Sequence, residues 1–131
     1  MWFSKKNKPV PTVMLNGIKI EGDTTLREFC WKFTYKNTEF NTDDHILNQE
    51  IIEKLDTYLT WIEDNKEFIN KDIKTNLKEW GGKLESAYIA GITLINKEMI
   101  SVMYLGNEEW GDLGVDYVFE NGKIVAENWG D

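Results

Sequence analysis

Apolar residues in this chain change their period twice. Between Asn41 and Gly82 they recur every three or four positions, and on either side they recur every second position. A spacing near 3.6 keeps one face of a helix apolar, and a spacing of two does the same for a strand. Strands, then helices, then strands must therefore follow one another along the chain.

The N-terminal strand region opens with "TVMLNGIKIEG", where Asn16-Gly17 is the pair that a type I′ hairpin turn demands. In "REFCWKFTY", Phe29, Trp31, Phe33 and Tyr35 share one parity, so this strand has one buried aromatic face. Glu28, Lys32 and Thr34 point the other way, with Cys30 among them. In the helical region one stripe runs Leu47, Ile51, Leu55, Tyr58, Leu59 and Ile62, with Thr42 or Asp43 as the expected cap. A second stripe runs Ile69, Ile73, Leu77 and Trp80, with Asn65 as its expected cap. The step from Ile62 to Ile69 is a clean heptad, so residues 44–80 fit either two helices or one bent helix. Gly81-Gly82 ends the helical region.

From Tyr88 onward the strand period returns. "YIAGITLI" and "MISVMYL" flank the connection "NKE", and "LGVDYVFE" meets "KIVAEN" through Asn121-Gly122, a second type I′ signal. "MISVMYL" is apolar at both parities, which predicts a central strand covered on both faces. The expected architecture is an α+β fold: an antiparallel sheet of about six to seven strands, with two helices inserted after the N-terminal strands and packed on one face. Residues 1–11 read as a flexible tail stopped by Pro9 and Pro11, and residues 12–131 as a single domain.

Composition narrows the function. Cys30 is the only cysteine, so an intrachain disulfide is impossible, and a lone thiol suits a reducing cytoplasm. "MWFSKKNKPVPT" precedes no long apolar run, and no apolar stretch reaches the roughly 20 residues that span a bilayer. Trp2-Phe3 beside Lys5, Lys6 and Lys8 is too short for a stable membrane anchor. His45 is the only histidine and falls in a first helical turn, which suits a surface or capping role. Ser4, Ser86 and Ser101 lie in no nucleophile-elbow setting, and no phosphate-binding glycine motif is present. No catalytic constellation, cofactor site or metal site is expected.

The net charge is −8, and it is uneven. Residues 1–40 carry +3, residues 41–105 carry −5, and residues 106–131 carry −6, from seven acids and one lysine. Such a field repels phosphate backbones, so nucleic acid is an unsuitable ligand and a basic protein a suitable one.

The acidic tail centres on "GNEEWGDLGVD". As a calcium loop with ligands at Asp112 and Asp116, it lacks the alternating Asp/Asn ladder and terminal Glu of an EF-hand. A glycosidase-like hydrolase using Glu108 or Glu109 with Asp112 needs two carboxylates across a cleft, which spacing on one loop does not supply. A solvated loop with Trp110 folded onto the core is the plain reading. A binding rim is the reading that the lopsided charge favours, with Glu108, Glu109, Trp110, Asp112, Asp116, Glu127 and Trp129 as its residues.

The run from "NTDDHILNQEIIEKLDTYLTWIEDNKEFINKDIKTNLKEW" through "ITL" and "MISVMYL" to "EEWGDLGVDYVFENGKIVAENWGD" resembles a group of small uncharacterised bacterial domains. Some of these lie beside polymorphic toxin genes and are thought to be immunity proteins. The resemblance spans roughly residues 41–131 and transfers no catalytic residue; Asp112 stands where some relatives have histidine. It implies a non-enzymatic cytoplasmic protein, monomeric or homodimeric, that neutralises a basic toxin. A small hydrolase and a structural or regulatory domain stay open as alternatives.

Overall fold

The computed structural model describes residues 12–23, 30–43, 46–80, 87–106 and 110–130. Eight strands form one sheet and lie side by side in chain order. They are β1 (Thr12–Leu15), β2 (Ile18–Asp23), β3 (Cys30–Tyr35), β4 (Thr38–Thr42), β5 (Tyr88–Asn96), β6 (Met99–Leu105), β7 (Gly114–Glu120) and β8 (Lys123–Gly130). Between β4 and β5 the described residues form three helices, α1 (Gln49–Glu53), α2 (Leu55–Asp64) and α3 (Lys66–Trp80).

This mostly-sheet fold corrects the expected α+β architecture of six to seven antiparallel strands and two helices. Strand β4 escapes the sequence pattern because its hairpin turns on Lys36-Asn37, both in the left-handed region (φ 49° and 62°), without the glycine that marks such turns. The strands β4 and β5 run parallel while every other pair is antiparallel. A parallel pair needs a long crossover, and the helices supply it. The turns at Asn16-Gly17 and Asn121-Gly122 have positive φ at both positions, as the hairpin reading predicts.

The helical region is neither one bent helix nor two, because it breaks at Lys54 and again at Asn65. Its first cap is Asn48, whose side chain accepts from the Ile51 amide. Thr42 cannot cap, because it lies within β4 and is buried there. Asp43 accepts from the Ile46 amide in the turn that leads in. Asn65 closes α2, and its side-chain amide donates to the carbonyls of Trp61 and Gly122.

The core lies between the helices and one face of the sheet. Ile51, Leu55, Tyr58, Ile62, Ile69, Ile73 and Leu77 pack with Ile20, Phe33, Phe40, Ile92, Ile100, Val102, Tyr117 and Phe119. Phe33 and Phe40, opposite one another on β3 and β4, stack at 5.2 Å. The β6 expectation needs correction. Ile100 and Val102 are buried under the helices, but Ser101 and Met103 on the other face are only half-buried. No described element covers that face.

Candidate functional site

The sheet face away from the helices forms an open trough. One hollow of about 1410 Å³ extends over β2 to β5, and a second of about 420 Å³ continues it to β7. They share Asn41, Ala90, Gly91, Thr93 and Ile95, so the hollow is continuous across the strands.

Register brings its residues together. One row crosses the sheet through Lys32, Asn41, Thr93, Ser101 and Val118, each opposite the next on the neighbouring strand. The Thr93 hydroxyl donates to Asn41 Oδ1 at 3.0 Å within that row. The adjacent row contains Glu39, Gly91, Met103 and Asp116. Gly91 pairs with Met103 and Met103 with Asp116, while Phe40 opposite Ile92 brings Glu39 beside Gly91. A bulge at Ala90 and the missing side chain of Gly91 deepen the centre.

The trough carries five carboxylates, Glu21, Asp23, Glu39, Asp43 and Asp116, against Lys19 and Lys32. Both lysines are already engaged: Lys19 Nζ lies 3.3 Å from Glu21, and Lys32 pairs with Asp23. The Asp23 hydrogen bond, followed by its charge, pushes the Lys32 pKa up. No ion pair or side-chain hydrogen bond joins the Glu39 or Asp116 carboxylate to another described residue, although the Glu39 charge also acts on Lys32. Burial raises the Asp116 pKa, because its carboxylate sits half-buried beside Met103 with no compensating cation.

The acidic tail does not fold into one surface. Glu108 and Glu109 lie outside the described residues. Trp110 is 4% exposed and packs with the core, so it presents little surface to a binding rim. Its ring lies over Gly106 so closely that a Cβ there would fall 2.2 Å from the indole. Asp112 is on an exposed turn and lines neither hollow. Asp116 faces the trough, whereas Glu127 and Trp129 lie on the helix side, because they pair with Tyr117 and Val115. Strand alternation separates them, and a reading by segment charge overlooks that alternation.

Glu127 instead belongs to a cluster with Asp72 of α3. The Tyr117 hydroxyl donates to Asp72 Oδ2 at 2.6 Å, and Trp129 Nε1 donates to Glu127 Oε2 at 2.7 Å. Burial, then hydrogen bonding to Asp72, raises the Glu127 pKa, while the Trp129 bond lowers it. Tyr104 packs edge-on against Tyr117, and burial pushes its pKa up to about 12. Asp72 and Glu127 lie near enough for hydrogen bonding between them to contribute to the Glu127 shift. Their arrangement clasps β7 and β8 to α3.

Neither protein-family models nor curated proteins nor solved structures match this chain. Among the described residues no helix is long and apolar enough to cross a membrane.

The trough had one legible trace in the sequence. A strand apolar at both parities needs cover on both faces, and β6 has helices on one face only.

Proposed function

We propose that this protein is a non-enzymatic binding module for a basic protein, which it meets over the open face of its sheet. The observation that carries the reading is the pair Glu39 and Asp116, acids outside any ion pair in a trough whose two lysines are held by Glu21 and Asp23. Carboxylates in a hollow focus the field and steer a cationic partner during encounter. The partly apolar floor of Ile95 and Met103 supplies surface to bury after contact. Neutralisation of a basic toxin, as the resemblance to immunity-like domains suggests, is the biological form we assign to this binding.

Affinity capture from the native host at low salt, with mass spectrometry, would supply a partner for titration. The expected partner is basic, binds more weakly as salt rises, and loses affinity for the Glu39→Gln, Asp116→Asn double variant. Affinity that is unchanged both at high salt and in the double variant would sink the reading.

A further inference from the structure

We propose that the trough receives one amphipathic helix of the basic partner, laid across the strands over Gly91, with cations two to three turns apart meeting Glu39 and Asp116. This inference rests on the binding function proposed above and specifies the shape of what binds.

A helix fits this face better than an extended peptide. Strands β2 to β7 each pair with a neighbour on both sides, so their backbone groups are committed to the sheet. An extended segment lying on the face would find side chains only and would leave its own N–H and C=O groups unpaired. A helix satisfies its backbone internally and needs only side-chain contacts.

The spacing agrees. From β4 to β7 is three strand intervals, or about 14 Å, and at a pitch of 5.4 Å that is about 2.6 helical turns. Side chains at i and i+7, or i and i+11, return to one helix face and bracket this distance. Between the two acids the row holds Gly91, which leaves room, and Met103, which offers apolar surface. The partner therefore needs apolar residues between its cations. The two-sided apolar pattern of β6 is accounted for by the same contact.

Gly91 also gives a clean steric test. A Cβ there would meet nothing nearer than 3.9 Å, so a larger side chain enters the trough without straining the fold. The probe is a synthetic helical peptide of about 18 residues, with leucines on one face and arginines at i and i+7 or i and i+11. Binding is followed by fluorescence anisotropy, and helix formation by circular dichroism. The expected result is saturable binding with a gain of helicity. Gly91→Leu and the Glu39→Gln, Asp116→Asn pair should each weaken it by about tenfold or more. Glu63→Gln with Glu67→Gln, which removes the same charge from the helix side, should change it little. Equal weakening by that helix-side pair, or undiminished binding of a proline-interrupted peptide, overturns the inference. The captured partner separates the two ideas: if it needs Glu39 and Asp116 but tolerates Gly91→Leu, the helix fails and the binding function stands.

Discussion

The side-chain amide of Asn65 donates to the Trp61 carbonyl at 2.7 Å and to the Gly122 carbonyl at 3.1 Å. One residue thus ends α2 and ties that end to the β7–β8 turn. Gly122 has φ +85°, and a Cβ there would lie 3.4 Å from the Trp61 ring. We expect Asn65→Ala to cost about 1 kcal/mol through its lost hydrogen bonds. Gly122→Val should cost about 1–2 kcal/mol or more, because a β-branched residue is strained at positive φ. Urea unfolding of both variants checks this, and a neutral Asn65→Ala would mean the tie is ornamental to stability.

The link explains part of what the sequence could and could not show. Asn121-Gly122 is legible because a type I′ turn calls for those residue types. The role of Asn65 is not, because capping chemistry predicts a side chain that accepts, whereas this one donates to a turn 57 residues away. Helical stripes and the aromatic face of β3 follow from period alone. Strand β4 does not, since Lys36-Asn37 reaches the left-handed region without glycine. The row Glu39, Gly91, Met103, Asp116 joins four strands, and no local motif encodes it. Register, set by the parallel β4–β5 pairing, assembles it.

The Glu127–Asp72 contact makes a pH prediction. The folded Glu127 pKa is raised above its ordinary value of 4.5, so the folded state holds that proton more tightly than the unfolded chain. Stability from this group is therefore greatest at acid pH and falls as pH rises from about the ordinary value through the folded one. Glu127→Gln keeps an acceptor for Trp129 and removes the charge beside Asp72. Its melting temperature should exceed that of the parent at pH 7, with the gap closing towards pH 4. A gap independent of pH would exclude the raised Glu127 pKa as its cause.

Trp110 and Gly106 form a second constrained pair. The indole is buried and lies where a Cβ at position 106 would overlap it. Gly106→Ala must displace the ring or the backbone, at about 1–3 kcal/mol. Trp110→Ala should cost about 3–5 kcal/mol by leaving a cavity. Chemical denaturation separates these from a surface role, in which both substitutions would leave stability nearly unchanged.

Thr42 tests the parallel register itself. It is a buried polar residue at 1% exposure, and its hydroxyl donates to the Leu94 carbonyl at 3.0 Å, its partner across β4 and β5. Thr42→Val keeps the shape and removes the donor, so the loss should be about 1 kcal/mol. Thr42→Ser keeps the donor but opens a methyl-sized void in a close-packed interior, also at about 1 kcal/mol. Thr42→Ala removes both and should cost roughly their sum. Were β4 shifted by one residue along β5, this side chain would face the trough, and all three variants would unfold at the parent's denaturant midpoint.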